Sequence, residues 1–267
     1  MQRQPVVAGQ FYSDDPVELR RHVESFLAGG GLAKPALGLM APHAGYIYSG
    51  AIAGETFAAV DVPDSIILLG PNHRGIGHPR ALYSQGSWLT PLGEVAIDEN
   101  LAQLILAADP SIDDDISAHR YEHSLEVMLP FLQLRNPQVK IVPLSLSSLP
   151  FADLEQMAQH LSGVIKNYPE KVLIVASSDM THYEAADVAQ KKDMYALEAL
   201  LQLDAGQLYQ RVQAQRISMC GVTAVALMLL TLSACGARRA ELIRYANSGE
   251  VSGDMNEVVG YAGVVIC

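Results

Sequence analysis

The chain has 267 residues, of which 49% are hydrophobic and 18% charged, a balance that allows a large buried core. Its 18 basic and 29 acidic residues give a net charge of -11, which disfavours binding to the phosphate backbone of nucleic acids. The first residues contain no apolar stretch of signal-peptide length, and three cysteines are an odd number for a disulfide framework. We therefore expect a cytoplasmic protein with reduced thiols.

Short apolar runs bounded by turn residues alternate with longer stretches of helical periodicity. The runs predict buried strands, and the periodic stretches predict helices. This alternation indicates an α/β fold with a mainly parallel sheet and helices on both faces, in a single domain over residues 1–267. In chain order we predict a strand at 37–41, a helix at 50–60, a strand at 65–70, a helix at 122–134, a strand at 140–144, a helix at 151–165, a strand at 172–176, helices at 185–203 and 221–232, and strands at 241–246 and 258–266.

The uncharged segment 217–237 is about as long as a membrane-spanning helix. Residues such as Ser218, Gly221 and Thr231 dilute its hydrophobicity, and the sequence has no second segment of this kind. We therefore predict that it contains a buried helix of the α/β core and that the protein does not interact with a membrane.

Polar side chains follow three of the predicted strands. His43 follows the first strand, His73 follows the second, and Asp179 and His182 follow the fourth. The carboxyl ends of parallel strands open on one edge of a sheet, where α/β proteins bind their ligands. A lone histidine is more often a satisfied polar residue than a ligand, but several at one edge favour a common site. Two histidines and one anionic side chain form the open site of many non-haem iron enzymes.

The anionic ligand of such a site is either a carboxylate or a thiolate, and Cys220 is the candidate that we favour. It directly precedes a predicted helix, whose N-terminal dipole would lower the pKa of the thiol and favour the thiolate. The alternative is a small buried hydrophobic residue, as expected for Cys235 and Cys267. The prediction is one metal ion bound by His43, His73 and Cys220.

Asp179 and His182 are the candidate catalytic residues. Their spacing of three places both on one side of a turn, where His182 could transfer a substrate proton and Asp179 could fix its tautomer. Asp179 could equally be the N-cap of the following helix. His123, at the start of a predicted helix, is a further pocket candidate. The remaining histidines carry no assignment.

Eight motifs, in this order, carry a resemblance to a known protein family. They are PVVAGQFY at 5–12, PHAGY at 42–46, GPNH at 70–73, TPLG at 90–93, EHSLE at 122–126, SSD at 177–179, CG at 220–221, and SGD at 252–254 together with VGYA at 259–262. Over nearly its whole length the sequence resembles the MEMO family, named after "mediator of cell motility".

The resemblance implies a fold similar to the class III extradiol dioxygenases, which open catechol rings with ferrous iron held by two histidines and a glutamate. In the MEMO family the metal site is associated with two histidines and a cysteine, which match His43, His73 and Cys220. Asp179 and His182 match other pocket residues, and His182 resembles the acid/base histidine of the dioxygenases. A soft thiolate in place of glutamate is compatible with an iron or copper ion, and also with zinc.

Three hypotheses of function follow from these observations. The first is a metal-dependent oxidoreductase with a small aromatic substrate. The second is a non-catalytic protein that binds a peptide or small molecule and keeps a vestigial metal site. The third is a zinc hydrolase. The resemblance also implies partner proteins, because prokaryotic MEMO proteins are similar to one member of a three-part set with an AMMECR-type protein and a radical SAM enzyme.

Overall fold

The computed structural model describes residues 1–267, which form twelve strands, nine α-helices and two short 3-10 helices. The strands are β1 (Gln2–Arg3), β2 (Gly38–Ala41), β3 (Ser65–Pro71), β4 (Arg80–Leu82), β5 (Ser87–Thr90), β6 (Gly93–Ile97), β7 (Asp113–Asp114), β8 (Lys140–Leu146), β9 (Val172–Ser177), β10 (His182–Glu184), β11 (Ala240–Asn247) and β12 (Val258–Ile266). The α-helices are α1 (Pro16–Leu27), α2 (Tyr46–Ala58), α3 (Glu99–Ala108), α4 (Leu129–Arg135), α5 (Phe151–Asn167), α6 (Ala186–Leu201), α7 (Ala205–Ala214), α8 (Val222–Ala234) and α9 (Gly249–Ser252). The 3-10 helices are Ile116–His119 and Glu126–Met128.

All twelve strands belong to one sheet, in the order β1-β5-β6-β8-β3-β9-β2-β12-β10, with β11 beside β12, β4 beside β8 and β7 beside β4. The central strands β8, β3, β9 and β2 are parallel, whereas β12 runs antiparallel to β2. The predicted α/β class with a mainly parallel sheet is confirmed.

Helices cover both faces of the sheet, and two glycines let them approach closely. A Cβ atom at Gly38 would lie 2.6 Å from Leu232 Cδ1 of α8, and one at Gly263 would lie 1.8 Å from Thr56 Oγ1 of α2. The two glycines face opposite sides of the sheet, because Gly38 pairs with Ile266, three positions along β12 from Gly263. Strands buried on both faces need continuous apolar sequence, which explains the uninterrupted hydrophobic runs.

The predicted strands all exist, but the predicted helix at 122–134 is only half right. Its first half is irregular and ends in the short 3-10 helix, and α4 begins at Leu129 with Pro130 in its first turn. The Glu122 carboxylate accepts the backbone N–H groups of His123 and Ser124, which competes with helical hydrogen bonding.

The uncharged segment 217–237 contains α8, which has 13 residues, nine of them buried. The buried helix that the sequence predicts there is confirmed. No helix in the structure combines the length and hydrophobicity needed to cross a membrane.

Candidate metal centre

The carboxyl ends of β2, β3 and β9 bring residues from distant parts of the chain together. The strands are neighbours in the sheet, and Ala41 of β2 pairs with Ser177 of β9. His43 and His73 follow two of these strands, and their ring centroids lie 5.1 Å apart. The convergence of strand-end histidines at one edge of the sheet is therefore a feature of the structure.

The hydrogen bonds of His43 determine which nitrogen carries its proton. The side chain is 2% exposed, and Nδ1 lies 2.7 Å from Ser177 Oγ. The Ser177 hydroxyl donates its own proton to the carbonyl oxygen of Ser124 at 2.7 Å. It must therefore accept from His43 Nδ1–H, which leaves a lone pair on Nε2 for a metal ion.

His73 is held in the same way by a carboxylate. Its Nδ1 lies 2.9 Å from Glu122 Oε1, and its backbone N–H donates to Glu122 Oε2 at 2.7 Å. Burial raises the pKa of Glu122, but the hydrogen bond and charge of His73 and the nearby N–H groups outweigh it and lower the pKa to about 2. The ionised carboxylate accepts Nδ1–H, so Nε2 of His73 also offers a lone pair.

His123 completes a cluster of three imidazoles. Its ring stacks on that of His73 with centroids 5.0 Å apart, and it lies 5.6 Å from the ring of His43. One nitrogen from each of the three rings lies within 4.8 Å of the others, an arrangement that could hold a metal ion. Burial and the neighbouring imidazoles lower the pKa of His43 to about 3 and that of His123 to about 4, so both rings are neutral donors at pH 7.

Cys220 lies beside this cluster, with Sγ 3.3 Å from His43 Nε2. The expectation of a lowered thiol pKa is wrong, because burial and the Asp179 carboxylate raise the pKa of Cys220. The residue precedes Gly221, the N-cap of α8, and is not in the first helical turn. The sulfur is thus a thiol unless a cation displaces its proton. Its role as the third metal ligand stays a prediction.

Asp179 contacts His43 and not His182. Its Oδ1 accepts the backbone N–H of His43 at 2.7 Å, and burial raises the pKa of its carboxyl group. The alternative role as a helix N-cap is excluded, because α6 begins after Ala185.

His182 is oriented by a backbone carbonyl. Its Nδ1 lies 3.0 Å from the carbonyl oxygen of Ser218, which can only accept, so Nε2 is left as a proton acceptor. The expectation that Asp179 fixes this tautomer is therefore corrected: Ser218, in the loop before α8, does so. The catalytic roles of Asp179 and His182 stay predictions.

Sequence reasoning missed the acceptors that orient the imidazoles. Neither Glu122 nor Ser177 is among the site residues predicted from the sequence. A signal existed for both, because Glu122 adjoins His123 and Ser177 lies at a strand end, two residues before Asp179.

Comparisons with known proteins cover nearly the whole chain. A family model described as Memo-like protein matches residues 3–265. A MEMO1 family protein of Methanosarcina barkeri is 41% identical over 266 residues, which cover 99% of each chain. A MEMO1 family protein of Aquifex aeolicus is 39% identical over 267 residues, with 98% of each chain covered.

A solved structure supports the fold. The chain is similar to an uncharacterized protein from Escherichia coli K12, with a TM-score of 0.54 and 16% identity, covering 84% of this chain and 98% of that one. This likeness concerns the fold alone. The sequence matches are full-length, and the chain belongs to the Memo-like protein family.

Proposed function

We propose that the protein is a mononuclear metal-dependent oxidoreductase, related to the class III extradiol dioxygenases, that acts on a small aromatic substrate. The observation that carries the proposal is the fixed tautomer of two buried imidazoles. His43 and His73 each donate Nδ1–H to a protein acceptor, so neither Nε2 carries a proton and both can bind one cation.

The donor atoms fit a redox-active transition metal. Neutral imidazole suits iron, copper and zinc, and a thiolate at Cys220 would favour the softer ions. We propose iron or copper held by His43, His73 and Cys220, with His123 as the competing third ligand. Bound there, iron or copper would supply redox chemistry with oxygen and Lewis acidity toward a phenolic oxygen.

The protein side chains would handle the substrate proton. His182 has a free Nε2 and is proposed to accept the proton of a phenolic hydroxyl group. Asp179 would act as a positioning residue, because its hydrogen bond to the backbone of His43 holds that ligand at the end of β2.

Metal analysis tests this proposal. Protein purified without oxygen is expected to contain roughly one equivalent of iron or copper, as a mononuclear site requires, and to consume a member of a catechol panel. Cys220→Ala and His123→Ala show which of the two residues is the third ligand. Only the variant that lacks the true ligand should fail to bind one equivalent of metal. His22→Gln, on the exposed face of α1, is the matched control. Wild-type protein without stoichiometric metal contradicts the proposal, and stoichiometric zinc with hydrolysis would favour the zinc hydrolase.

The raised pKa of the Cys220 thiol favours one alternative, a non-catalytic peptide- or small-molecule-binding protein. In that case Cys220→Ala should leave ligand binding intact, whereas joint loss of binding and metal would count against it. The proposed AMMECR-type and radical SAM partners are testable by co-purification from the native cells.

A further inference from the structure

Tyr183 has an unusual backbone conformation. Three non-glycine residues have positive φ angles: Tyr183 at 59°, Leu203 at 58° and Arg216 at 49°. Leu203 and Arg216 each follow the C-cap of a helix, α6 and α7, where a left-handed residue is a common way to end a helix. Tyr183 is in the middle of β10, where no helix end accounts for its conformation.

The left-handed residue forms a bulge in the sheet. His182 pairs with Val259 and Glu184 pairs with the adjacent Val258, so Tyr183 is an extra residue without a partner on β12. Bulges redirect side chains and are frequent beside active sites. Glycine or asparagine would adopt this conformation at lower cost, so a tyrosine here is unfavourable for the backbone.

Burial does not compensate for this cost, because Tyr183 is 75% exposed. Its ring lies beside the proposed proton acceptor, with a centroid 5.9 Å from that of His182 and a tilt of 59°. The exposed ring of Tyr183 therefore lies beside His182, the proposed proton acceptor.

We propose that Tyr183 is a ligand-contacting residue of this centre and that its ring packs against a planar aromatic ligand whose proton faces His182. The inference rests on the proposed function and names the residue that would select for the aromatic part of the ligand. Offset or edge-on packing of aromatic rings supplies the attraction. The bulge would direct the ring toward the ligand, and this contact explains why an exposed residue has a strained backbone conformation.

Tyr183→Gly tests this inference. Loss of the backbone strain should raise the stability of the protein, whereas loss of the aromatic ring should weaken ligand binding. We expect the variant to gain about 2 °C in Tm. Its affinity for 4-nitrocatechol, titrated anaerobically into zinc-loaded protein and followed by visible absorbance, should fall about fivefold. Tyr183→Phe keeps the ring and should bind within about twofold of wild type. Tyr195→Ala, which removes an exposed phenol of α6, is the matched control and should bind the probe like wild type.

The outcomes separate this inference from the proposed function. Equal probe affinity of wild type and Tyr183→Gly, with metal bound to both, overturns the role of Tyr183 and leaves the metal centre intact. Metal-loaded wild type that does not bind the probe overturns the aromatic ligand class. A lower Tm for Tyr183→Gly overturns the strain on which the inference depends. Absence of metal in wild type contradicts the proposed function itself.

Discussion

At the scale of single residues, the two imidazoles of the candidate metal centre are oriented by chemically different acceptors. His43 donates to the neutral hydroxyl of Ser177, whereas His73 donates to the ionised carboxylate of Glu122. A carboxylate makes the attached imidazole a stronger ligand, because it stabilises the positive charge that metal binding induces on the ring. The two candidate ligands should therefore differ in their sensitivity to mutation of their acceptors.

Replacing Glu122 with glutamine should weaken metal binding. The carboxylate accepts hydrogen bonds from Nδ1 and the backbone N–H of His73 and from the backbone of His123 and Ser124, and a neutral amide cannot accept them all. We expect Glu122→Gln to raise the metal dissociation constant about 10- to 100-fold, measured by competition with a chromogenic chelator. Glu155→Gln, exposed on α5, is the control. Equal affinity of Glu122→Gln and wild type would contradict the role of this acceptor.

At the scale of elements, the N-terminal segment fixes the loop that carries Glu122 and His123. The guanidinium of Arg3 donates to the carbonyl oxygens of His119 and Glu122 at 2.8 and 2.5 Å and pairs with Glu126 at 2.7 Å. Arg3 is 6% exposed and lies over the ring of Trp88. One planar side chain thus connects both ends of the loop to β1.

Removing Arg3 should destabilise the fold strongly. Arg3→Met leaves the Glu126 carboxylate buried without its cation, and we expect a loss of about 3 kcal/mol in the free energy of unfolding, measured in urea. The double variant Arg3→Met/Glu126→Gln should lose less than the sum of the two single variants, because it removes both charges. Additive losses would show that the pair is not coupled.

The contact of α2 with the sheet should tolerate no larger residue at Gly263. A Cβ atom there would meet Thr56 Oγ1 at 1.8 Å, and we expect Gly263→Ala to cost about 2 kcal/mol of stability by chemical denaturation. Gly263→Ala/Thr56→Ala should recover part of this loss. Gly163→Ala, in the exposed part of α5 with open space around it, should instead stabilise by about 0.5–1 kcal/mol. A neutral Gly263→Ala would contradict the close approach.

At the scale of the whole molecule, buried neutral histidines make stability dependent on pH. His119 is fully buried, its Nε2 donates to the carbonyl oxygen of Ala81 at 2.9 Å, and its Nδ1 has no partner to stabilise a second proton. Burial is the main cause that lowers its pKa from 6.5 to about 4. The unfolded chain therefore binds more protons than the folded chain between these two values.

We expect the free energy of unfolding to be highest above pH 6.5 and to fall as the pH drops toward 4, with His119 contributing about 3 kcal/mol of this loss. Urea denaturation between pH 4.5 and 7.5 measures the slope. His119→Phe keeps a ring in the same space and should give a shallower slope than wild type. Parallel pH curves for the two proteins would contradict the assignment.

The sequence by itself determined the fold class and the edge of the sheet at which the polar residues gather. Continuous apolar runs are required by strands buried on both faces, and a histidine after such a strand must lie at its carboxyl end. These are local properties of the chain, and the structure confirms the strands they predict. Helices α1, α3 and α7 are absent from the prediction, although each has an aspartate N-cap, which is a local signal of a helix start.

Only the tertiary structure decided the protonation and orientation of the site. His43 bonds to a hydroxyl 134 positions away and His73 to a carboxylate 49 positions away, and no local pattern predicts such pairs. Burial and the Asp179 carboxylate raise the pKa of the Cys220 thiol, whereas the helix dipole was expected to lower it. The bulge at Tyr183 arises from the register in which β10 pairs with β12. Solvation and distant hydrogen-bond partners set these properties, and both arise only when the chain is folded.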